Sequence, residues 1–209
     1  MSQPPHDVQT LPACVAFFAE KNPKGVALRQ KDRGIWQNIS WQDYYDHMAA
    51  VGHGLKLLGM KPGDHIGILS ENCPEWLYAD LGSQGIGARA VGIYQTNPSN
   101  DVAYVVEHAG IKLLFVEDQE QCDKALEIVD DIPCLEHIII FDPRGTRHYN
   151  HPKLQPWSTF LSQGMTDYAA NKDWFAEEMA KRDPYAPAMV VYTSGTTGQG
   201  KGVPRTHQA

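Results

Sequence analysis

"HIGILSENCPEWLYADLGSQGIGARAVGIY" (His65–Tyr94) decides the fold. Its two ends, "HIGILS" (His65–Ser70) and "ARAVGIY" (Ala88–Tyr94), are apolar almost throughout. A strand with one wet face would alternate apolar and polar residues, so these runs predict strands buried on both faces. Between them, Asn72-Cys73-Pro74 sets proline at the start of a helix that runs to about Gly85, because a first-turn proline loses no hydrogen bond. A strand, a crossover helix and a second buried strand make a parallel pair. The unit then repeats. Asn97-Pro98 opens a helix with Val102, Val105, Val106 and Ala109 on one face, followed by "KLLFVE" (Lys112–Glu117), a helix over "QEQCDKALEIVDD", and "HIIIF" (His137–Phe141). Strands returning every 20 to 25 residues or so, with helices between, predict an α/β fold: a mostly parallel sheet covered by helices.

Toward the amino end the pattern changes. Thr10 followed by Pro12 starts a short helix over "LPACVAFFA" (Leu11–Ala19). "VALRQ" (Val26–Gln30), the turn "KDRG" and "IWQNIS" (Ile35–Ser40) read as a small β-hairpin. Ser40 and Asp43 have capping-box spacing, and Tyr44, Met48, Val51, Leu55 and Leu58 form one buried helix face ended by Gly59 and the turn "KPGD". Toward the carboxyl end, residues 142–187 hold Pro143, Pro152, Pro156, Pro184 and Pro187. That density predicts a long, loop-rich connection over the sheet, with helices around Ser158–Ser162 and Lys172–Lys181, rather than a second domain. It delivers the chain to "AMVVYT" (Ala188–Thr193), read as a central strand.

Composition sets outer limits. The chain has 209 residues, 42% of them hydrophobic, and a formal charge of −7. It can bury a core, and it lacks the basic surface that general nucleic-acid binding requires. A small anionic ligand held by a local loop remains compatible with that charge. Cys14, Cys73, Cys122 and Cys134 are scattered, without a CxxC pair, and predict reduced cytoplasmic thiols. "LPACVAFFA" is too short for a membrane span and has no basic residues before it, as a signal peptide would. The sequence therefore predicts a cytoplasmic protein without a transmembrane segment, with peripheral membrane association left open. His148 and His151 sit in a Pro-rich loop without a third ligand, so no metal site is assigned. Glu71, at the carboxyl end of a strand, reads as a helix cap; Trp36, Trp41, Trp76, Trp157 and Trp174 read as core or interface packing.

The chemistry is concentrated in "VVYTSGTTGQGKGV" (Val190–Val203). Gly195, Gly198, Gly200 and Gly202 permit positive φ and let backbone N–H groups converge. Thr193, Ser194, Thr196 and Thr197 add hydroxyl donors, and Lys201 adds a mobile positive charge. All are donors and none is acidic, which suits a polyphosphate. Gly195–Lys201 also fits GxxxxGK, the start of the nucleoside triphosphatase P-loop. The next residue, however, is Gly202 where that motif needs the magnesium-binding Ser or Thr, and Pro204 follows.

"YTSGTTGQGKGV" resembles the phosphate-binding signature of the adenylate-forming superfamily, which includes acyl-CoA synthetases, luciferases and peptide adenylation domains. Thr193, Ser194, Gly195, Thr196, Thr197, Gly198, Lys201 and Gly202 match it; Gly200 stands where the family usually has proline. The likeness extends upstream through "SENCPEWLYADLGSQGIGARAVGIYQTNPSNDVAYVVEHAGIKLLFVED" and "TLPACVAFFAEKNPKGVALRQ", segments similar to the amino-terminal half of long-chain acyl-CoA synthetases. The resemblance implies that residues 1–209 are an amino-terminal part of an AMP-binding domain. It implies ATP, Mg2+ and coenzyme A as cofactors or co-substrates, and a carboxylic acid, of fatty-acid type, as substrate.

On this reading Thr193, Ser194, Gly195, Thr196, Thr197, Gly198 and Lys201 hold the phosphates. His207, in "RTHQA", corresponds to a family histidine near the acyl pocket. No catalytic residue or metal ligand is assigned. The family's adenine and magnesium motif, ribose-binding Asp, hinge and small carboxy-terminal domain are expected beyond Ala209, so these residues alone are expected to be inactive. A P-loop nucleotidase and a non-catalytic interaction module, dimerising or binding a partner through a surface the rest of the enzyme would cover, are the competing expectations.

Overall fold

A computed structural model describes residues 8–193 and 200–208. Thr10 accepts a hydrogen bond from the Ala13 N–H (3.4 Å) at the start of α1 (Leu11–Lys21). β1 (Val26–Asp32) and β2 (Ile35–Ser40) pair antiparallel around Arg33 and Gly34, whose φ values are 46° and 84°. Positive φ at both turn residues matches the right-handed twist of the flanking strands. Ser40 and Asp43 form the expected reciprocal box at the head of α2 (Trp41–Leu57): each side chain accepts from the other's backbone N–H, at 3.1 and 3.2 Å.

Then come β3 (His65–Leu69), α3 (Pro74–Gly85), β4 (Arg89–Ile93), α4 (Ser99–Ala109), β5 (Ile111–Val116), α5 (Gln119–Ile128) and β6 (His137–Ile140). The last part of the chain supplies β7 (Leu154–Pro156), α6 (Trp157–Ala170), α7 (Trp174–Ala180), β8 (Pro187–Thr193) and β9 (Lys201–Thr206). Among the described residues, besides the hairpin, there is one sheet of seven strands in the order β7-β6-β5-β3-β4-β8-β9, parallel throughout except for the antiparallel β8–β9 pair.

Alternate residues of each parallel strand enter opposite cores, as side chains of period two must. Ile66, Ile68, Leu113, Phe115 and Ile139 pack with α1, α2, α3, α6 and α7; Leu69, Leu114, Val116, Ile138 and Ile140 pack with α4 and α5. Both faces of the inner strands are thus dry, which explains their unbroken apolar runs.

Two expectations need correction. β8 is not central: it is sixth in the order, with β4 on one side and β9 on the other. The first helix of the 142–187 segment is also far longer than expected, since α6 runs along α2 to Ala170. Its length rests on close approach. A Cβ built on Gly164 would lie 2.0 Å from the Ala50 carbonyl oxygen, so glycine is what lets the two backbones touch. Beside that contact, buried His53 of α2 bonds through Nδ1 to Asp167 of α6 (2.5 Å), and Lys56 pairs with the same carboxylate while lying over the Trp174 ring at 4.4 Å. Cys14, Cys73, Cys122 and Cys134 are all free, and no helix among the described residues is long and apolar enough to cross a membrane.

Candidate functional site

The strand order creates an opening. From β3 the chain passes through α3 to β4 on one side, then through α4 back across to β5 on the other. α3 packs in one core and α4 in the opposite one, so the loops leaving the carboxyl ends of β3 and β4 separate. Such switch points are where open α/β sheets bind ligands. A cleft of about 480 Å³ lies there, formed by Ser70, Glu71 and Asn72 after β3, Tyr94, Gln95 and Thr96 after β4, Trp76 of α3, and Met189–Tyr192 of β8.

Its polar rim is cross-linked. The Gln95 side-chain amide donates to Glu71, the Glu71 N–H donates to Glu117 Oε2 (2.7 Å), and the Lys124 ammonium donates to the Gln95 carbonyl (2.7 Å). Glu71 therefore does not cap α3, as the sequence suggested. Cys73 occupies the cap position and makes no side-chain cap bond, whereas Glu71 is turned toward Gln95. Asn72-Cys73-Pro74 already starts the helix through Pro74, which leaves this carboxylate available to the cleft.

β8 runs past the cleft and ends at Thr193, whose Cα partner across the hairpin is Lys201 of β9. Thr193 and Lys201 are both exposed and face each other at the hairpin's loop end. Among the described residues no carboxylate pairs with Lys201. Ser194, Gly195, Thr196, Thr197 and Gly198 lie outside the described residues. A P-loop would aim a helix N-terminus at its phosphates, but Lys201 opens the strand β9.

His207 is not brought to this place. It follows Thr206, which pairs with Pro187 at the other end of β8, about 20 Å along the strand from Thr193. There its Nδ1 accepts from the Leu11 N–H at 3.4 Å, and burial holds its pKa below the usual imidazole value.

α4 braces the loop end of the hairpin. The Tyr104 hydroxyl donates to the Gly200 carbonyl (2.9 Å), and His108 Nδ1 lies 2.7 Å from the Tyr192 hydroxyl. Tyr104 stacks on His108 with ring centres 5.2 Å apart and meets Tyr192 edge-on at 6.5 Å. Burial, reinforced by Tyr104, raises the Tyr192 phenol pKa. Sequence reasoning did not find Tyr104 and His108. Their spacing of four places them on one helix face, but nothing local in the sequence shows that this face meets a strand 84 residues further on.

A doubly covered parallel sheet with a cleft at its switch point, beside a hydroxyl-rich and glycine-rich hairpin, defines a nucleotide-binding class of α/β protein. Within that class the chain belongs to the AMP-binding enzymes, whose family profile matches residues 15–209.

Among curated relatives, the long-chain-fatty-acid–CoA ligase ACSBG2 of Xenopus laevis is 33% identical over 182 residues, 87% of this chain and 24% of the relative. The fatty acyl-CoA synthetase B of Dictyostelium discoideum is 34% identical over 187 residues, 86% of this chain and 27% of the relative. The chain thus spans about a quarter of the length of these relatives. The crystal structure of the anthranilate CoA ligase AuaEII in complex with anthranoyl-AMP superposes with a TM-score of 0.70 over 93% of this chain and 34% of that one, at 24% identity. That likeness establishes the fold.

Proposed function

We propose that this chain is the phosphate-gripping part of an acyl-CoA ligase acting on a fatty-acid-type carboxylate. The observation that carries the reading is the loop end of the β8–β9 hairpin: Thr193 and Lys201 face each other beside a cleft at the sheet's switch point. In the first step a carboxylate oxygen attacks the α-phosphorus of ATP. The new P–O bond forms as the bond to the bridging β-phosphate oxygen breaks, and pyrophosphate leaves with that electron pair. In the second step the sulfur of coenzyme A attacks the acyl carbon, AMP departs, and the thiol proton is released.

Both reactants of the first step are anions, so the protein's task is positioning and charge neutralisation. Lys201 and the hydroxyls of Thr193, Ser194, Thr196 and Thr197 supply the donors for the departing pyrophosphate, while Gly195 and Gly198 let backbone N–H groups approach it. Tyr104 and His108 hold the strand ends from which these residues extend. Among the described residues no three His, Cys, Asp or Glu side chains cluster as metal ligands.

The test is calorimetric titration of residues 1–209 with pyrophosphate. Lys201→Ala is expected to weaken binding at least about tenfold, because it deletes a charge-assisted contact of about 1.5–3 kcal/mol. The same chain mixed with ATP and a fatty acid is expected to release pyrophosphate only at the blank rate. Unchanged affinity in Lys201→Ala would remove the basis of the assignment.

A further inference from the structure

The β1–β2 hairpin carries a group of side chains that neither core nor the cleft uses. Near its root Leu28 and Ile39 are half-buried, but from Arg29 to Asn38 every residue is exposed. The apex includes two large apolar side chains, Ile35 at 66% and Trp36 at 62% exposure. Of the two roles expected for Trp36, core or interface packing, the structure removes the first.

The register sorts the hairpin into two faces. Trp36 lies opposite Lys31 and Asn38 opposite Arg29, so Arg29, Lys31, Trp36 and Asn38 share one face. Ile35 lies opposite Asp32 on the other. Arg33 stands between the faces at the turn. It is the one non-glycine residue with positive φ among the described residues. That conformation favours asparagine or glycine, so Arg33 stands at the apex against the backbone's preference. Arg29, Lys31 and Arg33 outnumber the single carboxylate of Asp32, on a chain whose net charge is −7.

We propose that this hairpin docks the protein on an anionic phospholipid surface. Trp36 and Ile35 supply the amphipathic ring and the apolar side chain that partition to headgroup depth. Arg29, Lys31 and Arg33 supply attraction to lipid phosphates. Each signal alone is weak, and the two together give reversible attachment. The acidic remainder of the protein is repelled by the same surface, so it orients the hairpin toward the lipid. A nucleic-acid groove would use the cations but offers nothing to the exposed Ile35 on the hairpin's other face. The proposal does not depend on the nucleotide reading of the cleft.

Co-sedimentation of residues 1–209 with vesicles of phosphatidylcholine mixed with phosphatidylglycerol, and with phosphatidylcholine alone, tests it. Binding is expected only to the mixed vesicles and should weaken as salt is raised. Trp36→Ala and Arg33→Asn are each expected to reduce it about fivefold or more. Arg33→Asn separates docking from folding, because asparagine suits the turn: its Tm is expected to equal or exceed that of the parent while its lipid binding falls. Equal binding to neutral vesicles, no binding to mixed vesicles, or parental binding by both variants would overturn the proposal. So would a dimer in gel filtration that Trp36→Ala dissociates, since the apex would then be covered by a second copy.

Discussion

Asp80 shows how one buried carboxyl governs the pH response of an otherwise ordinary core. It lies in α3, buried between helices, and its Oδ1 accepts from the Gln84 side-chain amide at 2.7 Å. Burial raises its pKa from 3.8 to about 6, against the opposing pull of that hydrogen bond. A raised carboxyl pKa means that the folded state holds a proton the unfolded chain has released. Its stability contribution is therefore complete below pH 3.8 and is lost as pH rises through about 6. The loss amounts to about 3 kcal/mol, at 1.36 kcal/mol per pH unit. Gln84 Oε1 is buried without a partner, and the amide of an asparagine at position 80 can supply the missing donor. Asp80→Asn is thus expected to be more stable than the parent above pH 6 and to remove most of this decline. Urea unfolding of both proteins from pH 4 to 8 checks it. Parallel curves for the two would mean that Asp80 ionises in the fold at no cost.

The elements that were legible in the sequence are those whose side-chain pattern records burial. β3, β4, β5 and β6 were legible because strands with two dry faces must be apolar at successive positions, and α2 because Ser40 and Asp43 mark its start. The illegible elements have local sequences that argue against them. β9 reads "KGVPRT", with a glycine and a proline that exclude an interior strand; it forms because an edge strand needs hydrogen bonds on one side only. β7 is three residues ending in Pro156, also at an edge. α6 continues well past Ser162 although Gly164 lowers helix propensity by about 1 kcal/mol relative to alanine. The structure gives that residue its reason, the contact with Ala50 of α2. Gly164→Ala should accordingly destabilise despite its better propensity. Its Cβ meets a backbone carbonyl rather than a movable side chain, so the helices must separate, and overpacking of this kind costs about 1–3 kcal/mol. A thermal midpoint equal to or above the parent's would show that α6 shifts without loss.

At the scale of the whole molecule, the proposed phosphate loop rests on composition and the cleft on topology. The donors in the run from Thr193 to Lys201 carry the proposal, whereas the cleft beside it is assembled from the ends of β3, β4 and β8, which only the strand order brings together. The same order joins the two cores mechanically. Phe115 belongs to the core beneath α2 and α6, and Leu114 to the core beneath α4 and α5, yet they are adjacent residues of β5 and both fully buried. Neither core can open without exposing a strand that closes the other, so the cores are expected to unfold as one cooperative unit. Phe115→Ala should cost about 3–5 kcal/mol and Leu114→Ala about 2–5 kcal/mol, each leaving a cavity on a different face of the sheet. Both variants should lower a single transition followed by circular dichroism and by tryptophan fluorescence. The fluorescence chiefly reports the first core, because Trp41, Trp76, Trp157 and Trp174 all pack there. If Leu114→Ala shifted the dichroism midpoint while leaving the fluorescence midpoint in place, the cores would be separable and the sheet would not act as their common wall.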